Sequence, residues 1–218
     1  MSRKDILKVS SIIRCRNEER WIGYAVQSFL DIFPDGEIII ADNCSSDRSK
    51  EIVYLFDYAD IKILNIDNYT PGYALNRSVD ACSSDIVLIQ SAHSVITHVN
   101  KDELEKSMKN HAAVFGNQTP VYFGKKITKR YIWSNFTDDQ CVNMYSDIEK
   151  RHFLHNAFCF YQKDILVAHK FNESLSGKED RYWARDIVGK GFTYLYDPIN
   201  LSCNHHFTIN GATWRGMG

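Results

Sequence analysis

Short apolar runs alternate with longer stretches of helical apolar spacing along this chain. Val9–Arg14 is short and β-branched and predicts a buried strand, ending in Cys15-Arg16-Asn17-Glu18. Trp21, Ile22, Ala25, Val26, Phe29 and Leu30 then recur as one face of a helix. Pro34-Asp35-Gly36 predicts a turn, Glu37–Ala41 a second strand, and Asp47–Phe56 a helix with Ile52, Val53 and Phe56 inward. Ile61–Leu64 reads as a third strand, Tyr73–Ala81 as a helix after Pro71-Gly72, and Ile86–Gln90 as a fourth strand. This alternation predicts an α/β fold, with a mostly parallel central sheet covered by helices on both faces.

The second half reads differently. Asp102–Asn110 predicts a helix and Ala112–Gly116 a short strand. A helix is expected over Glu179–Lys190, stopped by Gly191, then a strand over Phe192–Tyr196. His205-His206 are expected to follow a strand and a turn. Pro120–Tyr161 is rich in aromatics, among them Tyr122, Phe123, Tyr131, Trp133 and Phe136, interleaved with Lys125, Lys126, Lys129 and Arg130. No internal repeat or low-complexity linker divides the chain, so a single domain over residues 1–218 is expected.

Candidate chemistry collects where strands end, because open α/β sheets bind ligands at the carboxyl ends of their strands. EIIIADNCSSD delivers Asp42-Asn43 directly after an isoleucine run. A carboxylate there can accept the imino N–H of a pyrimidine, and Asn43 can add a polar contact. The alternative is a helix-capping loop. Arg16 suits a diphosphate and Glu18 a ribose hydroxyl, or else these residues simply decorate a helix N-terminus. Gly72, Ala74 and Asn76 suit close approach of a helix to a ligand, or plain helix packing. IVLIQSAHS ends a buried strand in Ser91-Ala92-His93, with His93 placed to meet a diphosphate or a metal. Glu179-Asp180, at a helix start, is the candidate general base or a first-turn cap. Asp186 is too far along that helix to join it. Trp183 walls the site or fills the core, and His205-His206 complete a metal site with His93, bind phosphate, or are a pair of surface histidines.

Charge and composition narrow the partners. Lys+Arg 26 against Asp+Glu 27 leaves a net charge of -1, which gives no global drive toward nucleic acid. Six cysteines form no C-x-x-C pair, which argues against a thiolate zinc site and suits reduced thiols in the cytoplasm. No run approaches the roughly 20 apolar residues of a membrane span, and the N-terminus lacks a signal-peptide core. Neither G-x-G-x-x-G nor G-x-x-x-x-G-K-[ST] is present, which weighs against dinucleotide and P-loop folds.

Taken in order, SIIRCRNEE, EIIIADNCSSDRS, GYALNRSVDAC, IVLIQSAHS, AVFGNQTP, HNAFCFYQKDIL, FNESLSGKEDRYWARDIVGKGFTYLYDP and CNHH cover the chain from Ser11 to about His206. This set resembles the inverting family 2 glycosyltransferases of the GT-A (Rossmann-like) fold, in particular the rhamnosyltransferase-like subgroup. The resemblance implies a nucleoside-diphosphate sugar, UDP- or dTDP-linked, over residues 1–100, and an acceptor and catalytic half over 101–218. It implies Asp42 on the base, with Arg16, Asn17, Glu18, Asn43, Gly72, Asn76, Ser91 and His93 lining the nucleotide site. It places Gln118, Asn156, Lys163 and Trp183 on the substrate side and makes Asp180, beside Glu179, the base that activates an acceptor hydroxyl. The acceptor implied is a saccharide or lipid-linked saccharide of a surface polysaccharide, with the protein cytoplasmic and compatible with peripheral contact at the inner face of the plasma membrane.

The chain departs from the family at one place. Most members carry an acidic D-x-D where this chain has Ser91-Ala92-His93. Mn or Mg held through phosphates, His93 and His205 is one expectation. The other is metal-independent, with protonated His93, Arg16 or Lys163 stabilising the departing diphosphate. Two rival functions remain open: a sugar-1-phosphate nucleotidyltransferase, which would want a Gly-rich basic loop after the first strand, and a non-catalytic nucleotide- or glycan-binding module.

Overall fold

A computed structural model describes residues 7–122, 125–126 and 135–206. In chain order the first elements are β1 (Val9–Cys15), α1 (Ile22–Ile32), β2 (Glu37–Asp42), α2 (Ser49–Tyr54), β3 (Ile61–Asn65), α3 (Pro71–Ala81), β4 (Ile86–Ser91), β5 (Ser94–Val99), α4 (Lys101–Met108) and β6 (Ala113–Phe115). They are followed by β7 (Asn117–Tyr122), β8 (Lys125–Lys126), β9 (Cys141–Val142), β10 (Tyr145–Ser146), β11 (Arg151–His152), β12 (Phe158–Gln162), α5 (Lys163–Ala168), α6 (Glu179–Gly189), β13 (Tyr194–Tyr196) and β14 (Leu201–His206). The central sheet runs β3-β2-β1-β4-β12-β6-β13-β9. A smaller sheet runs β5-β14-β7-β8.

The first four strands are parallel to one another, and β12 enters antiparallel between β4 and β6. Alternate residues of each strand feed opposite cores. Ile12, Ile39, Ile89 and Tyr161 pack with Leu75 of α3, Leu166 of α5 and Trp183 of α6. Ile13, Ile40, Leu88 and Phe160 pack with Phe29 of α1 and Leu104 of α4. Both faces are therefore dry, and polar groups collect at the strand ends. At the amino-terminal ends, buried Ser10 donates to Glu37 (2.6 Å), which also accepts from Lys62 (2.6 Å). The carboxyl ends of β1, β2 and β4 form the opposite edge, with the start of β12 and of α6 beside them.

Several boundaries differ from the sequence reading. The helix expected over Asp47–Phe56 is Ser49–Tyr54, because Asp47 stays outside it and accepts from Ser49 N (3.0 Å) and Glu19 N (2.9 Å). α3 begins at Pro71 rather than Tyr73: Thr70 caps Tyr73 N (3.2 Å), and a proline in the first turn has no N–H to leave unpaired. β13 starts at Tyr194, two residues later than expected. His205 and His206 do not follow a strand; they are the last residues of β14. β5, β7, β12, β14 and α5 had no counterpart in the pattern. The side chains of Tyr122 through Lys129, Arg130, Tyr131 and Trp133 lie outside the described residues, so the basic part of the aromatic stretch does too.

Gly72 is fixed by packing. A Cβ there would sit 2.4 Å from the Asn172 carbonyl oxygen and 2.8 Å from its carbon. Alanine would gain about 1 kcal/mol of helix propensity, but the backbone it meets cannot swing aside as a side-chain tip can. Gly72→Ala is expected to lose about 1–3 kcal/mol in urea unfolding. Gly189→Ala, also helical but with open space around its Cβ, is expected to be neutral or slightly stabilising in the same measurement.

Candidate active site

Asp42 closes β2 and is completely buried. Its Oδ2 accepts from Ser45 N (3.2 Å) and lies 3.6 Å from Lys50 Nζ. Its Oδ1 is buried with no hydrogen-bond partner among the described residues. A buried carboxylate oxygen without a donor is costly, which makes Asp42 a candidate for contact with a ligand donor. The surrounding loop is rigidly braced. Asn17 takes a positive φ of 55°, accepts from Ser46 N (2.8 Å) and donates its own N–H to Ser45 Oγ (3.0 Å). Asn43 donates its backbone N–H to the Cys15 carbonyl (2.9 Å). A cleft of about 330 Å³ opens beside this end of β2, lined by Asn65, Asp67, Tyr73 and Arg77 among others.

Beyond β4 the side chains differ from the usual acidic ones. His93 Nδ1 lies 3.0 Å from Glu18 Oε1, and Glu18 N donates to Ser49 Oγ (2.8 Å). His93 also meets the His205 ring at 4.9 Å between centroids, and His205 meets His155 at 5.8 Å. His205 Nδ1 is 3.1 Å from Gln118 Oε1. Burial, ahead of the neighbouring charges, pushes the pKa of His155 and of His205 well below the ordinary imidazole value. These two rings are thus neutral at neutral pH. His206 instead stacks on Trp21, with centroids 3.9 Å apart.

The acidic pair opens α6. Lys178, at a φ of 61°, turns the chain into the helix, and Glu179 and Asp180 follow at 4% and 5% exposure. Asp180 accepts from Asn156 N (3.0 Å), Arg181 N (2.8 Å) and Arg181 Nη1 (2.8 Å). Glu179 Oε1 accepts from Arg14 Nη1 (2.8 Å) and Asn156 Nδ2 (3.3 Å). Tyr161 OH donates to Asn156 Oδ1 and holds that amide in place. Burial opposes the charge of Arg14, yet Glu179, Tyr69 and Asp180 outweigh it and raise its pKa further.

The structure thus brings Asp42, Asn17, Glu18, Ser91, His93, Gln118, Asn156, Glu179, Asp180 and His205 to one edge of the fold. It removes others. Lys163 lies at the opposite end of β4, where its N–H donates to the Asp85 carbonyl and its Nζ to that of Cys82, because α5 begins where β12 ends. Trp183 fills the core against Tyr161 and Phe171 and donates to the His169 carbonyl (2.7 Å). Asn76 ties α3 to the Phe171 backbone and to Glu173 (2.8 Å), and Gly72 packs on Asn172, so this pair serves a loop of the chain itself. Glu18 stays at the candidate edge with Oε1 on His93, and Arg16 is exposed on the turn after β1. A larger hollow of about 470 Å³, near His111, Gln162 and Phe192, lies at the far end of the sheet and contains none of the candidate residues. Sequence reasoning missed Arg14, His155 and Arg181. For Arg14 there was a signal: a cation inside an otherwise apolar strand run.

A divalent cation at the end of β4 is what the resemblance implies, and the donors there suit it poorly. Hard cations take oxygen ligands, mostly carboxylates. Ser91 offers a hydroxyl, and His93 and His205, held through Nδ1, would offer only imidazole nitrogen, a ligand that suits a hard cation less well than a carboxylate. Among the described residues no three His, Cys, Asp or Glu side chains converge as ligands. All six cysteines are free thiols. No helix among the described residues is long and apolar enough to cross a membrane.

Known proteins resemble this chain in sequence and in fold. The chain is 26% identical over 205 residues to the GalNAc(5)-diNAcBac-PP-undecaprenol beta-1,3-glucosyltransferase of Campylobacter jejuni, covering 89% of this chain and 64% of the relative. Staphylococcus aureus TarS in complex with UDP superposes with a TM-score of 0.68 at 16% identity, over 92% of this chain and 61% of that one. The mannosyltransferase PcManGT from Pyrobaculum calidifontis, in complex with GDP-Man and Mn2+, gives 0.68 at 18% identity, over 95% of this chain and 59% of that one. The chain thus spans less than two-thirds of the length of these proteins, and the structural likenesses establish the GT-A fold. Residues 10–169 match the family model of Glycosyl transferase family 2, and the chain belongs to that family.

Proposed function

We propose that this chain transfers a sugar, with inversion, from a nucleoside-diphosphate sugar to a hydroxyl of a saccharide or lipid-linked saccharide in surface polysaccharide synthesis. One observation carries the reading: the unpartnered Asp42 Oδ1 and the Glu179–Asp180 pair lie on the same carboxyl-terminal edge of the sheet. Family membership supports it, as does the undecaprenol-linked substrate in the name of the Campylobacter relative. That substrate also favours action at the inner face of the plasma membrane. Residues 1–100 form the donor half and 101–218 the acceptor and catalytic half.

In this reading Asp42 Oδ1 accepts the imino N–H of the base. Asp180, oriented by Asn156 and Arg181, takes the proton of the acceptor hydroxyl. The acceptor oxygen forms a bond to the anomeric carbon as the bond from that carbon to the diphosphate oxygen breaks. The nucleoside diphosphate leaves with the electron pair, and the configuration inverts. Charge develops as in other glycosyl transfer, with oxocarbenium character at the sugar. Glu179 borders the same space and is held by Arg14 and Asn156. The altered triplet at β4 favours a second reading, a non-catalytic binding module.

Asp180→Asn separates the two readings. It is expected to retain nucleotide binding while turnover of a nucleotide sugar falls by about 10²–10⁴-fold, the usual worth of a general base. Equal, zero turnover in both proteins across the UDP-, dTDP- and GDP-sugars would favour the module. Base choice is tested separately by calorimetry with UDP and CDP, which carry the same phosphates. Cytosine presents an acceptor to Asp42 where uracil presents a donor. CDP is expected to bind at least about tenfold more weakly, and Asp42→Asn to erase most of that difference.

A further inference from the structure

If residues 1–100 hold a nucleotide sugar, the strand order fixes where its diphosphate must lie. The base sits at the end of β2, and the reacting carbon sits at α6, beside the entry to β12. The ends of β1 and β4 lie between them. Neighbouring strands are about 4.8 Å apart, so roughly 14 Å separates the end of β2 from the entry to β12, and the ribose and diphosphate cross this span over the ends of β1 and β4. Arg14 stands on that path. It is the penultimate residue of β1 and pairs in register with Ser91 of β4 on one side and Ala41 of β2 on the other.

The setting of Arg14 is unusual. Its Nη1 is fixed by Glu179 at 2.8 Å, yet the side chain remains 20% exposed while Glu179 is 5% exposed. A guanidinium carries five N–H donors in a rigid fork. Among the described residues Glu179 is its hydrogen-bond partner, so further donors of the fork remain available at this partly exposed position. Several other cations are placed elsewhere or engaged. Lys163 is at the far end of β4, Arg16 is on the outer turn, Arg181 lies between Asp180 and Glu149, and His93 is engaged by Glu18.

We propose that Arg14 binds the donor diphosphate directly, so that a fixed guanidinium supplies the positive charge that the Ser91-Ala92-His93 triplet is poorly equipped to recruit as a metal ion. Glu179 then has a second role: it aims the fork, leaving one edge for the carboxylate and another for phosphate oxygens, a geometry that arginine supports and lysine does not. The proposal rests on the donor-site reading above and names a residue that the acidic triplet of the family would make unnecessary.

Calorimetry with UDP, UMP and uridine tests it, each with EDTA or with excess Mg or Mn, on the full chain. The wild type is expected to bind UDP more tightly than uridine in EDTA, with little gain from metal. Arg14→Gln is expected to lose about tenfold or more in UDP affinity while uridine binding is unchanged. Arg14→Lys is expected to recover part of the loss, and a melting curve for each variant confirms that it folds. If Arg14→Gln binds UDP as the wild type does, or if UDP binding requires the metal, the proposal fails while the donor site stands. If the wild type binds neither UDP nor uridine and also ignores GDP, the donor-site reading falls and takes the proposal with it. If Arg14→Gln does not fold, Arg14→Lys decides: unchanged affinity for UDP and unchanged rank against UMP would overturn a bidentate fork.

Discussion

Two adjacent carboxylates, nearly out of water, constrain this molecule more than any other feature. Glu179 and Asp180 are 4% and 5% exposed, and buried charge is tolerated only where donors and counter-charges surround it. The compensation comes from four places in the chain. Arg14 arrives from β1, Asn156 from the segment before β12, Arg181 from α6 itself, and Tyr161 locks Asn156 from behind. Glu149 in turn pairs with Arg181 at 3.5 Å. The pair therefore joins the first strand to residues 165 positions away. Each partner offsets part of the cost of burying these charges, which makes this cluster a positional lock as well as a chemical group.

A second constraint is the dryness of both sheet faces. With apolar residues filling the two cores, polar side chains within the parallel strands are confined largely to their ends. The amino-terminal ends hold Ser10, Glu37, Lys62 and Ser83 in a closed hydrogen-bond set that has no need of a ligand. The carboxyl ends are different: among the described residues Asp42 keeps one oxygen without a donor, and the Arg14 guanidinium bonds Glu179 through Nη1. The two edges are chemically complementary to different things, one to itself and the other to something absent from the chain. A nucleoside diphosphate supplies an imino donor at one end and phosphate acceptors at the other, which matches the polarity of this edge.

The histidines illustrate how a site changes character without losing its place. His93 stands where an acidic residue usually does, but it is joined by His205 and His155, which no sequence motif linked to it. Burial holds the latter two neutral. The cluster is then a polar wall against the transfer site, with Gln118 and Glu18 fixing ring orientation through the Nδ1 atoms. Negative charge, the property a hard cation needs, is located on Glu18 and the acidic pair rather than at the end of β4.

The sequence by itself determined the first half of the fold and the ends of its strands. Isoleucine-rich runs closed by Asp42 and by Ser91-Ala92-His93 have one stable placement, buried in a parallel sheet with their polar ends at its carboxyl edge, because period and polarity agree there. Glu179-Asp180 was legible for the same reason, as acids at a helix start. Only the tertiary structure decided partnership. β5 and β14 carry mixed polarity, β12 is a continuous apolar run that fits helix or strand equally well, and their pairing is set by contacts far apart in sequence. Trp183 and Asn76 read as site residues because their types suit ligands. Packing gave the first to Tyr161 and Phe171, and hydrogen bonding gave the second to the Phe171 backbone. Arg14 went unread because a local pattern sees a charge in a strand as an exception, whereas its meaning lies in a carboxylate brought to it by the rest of the fold.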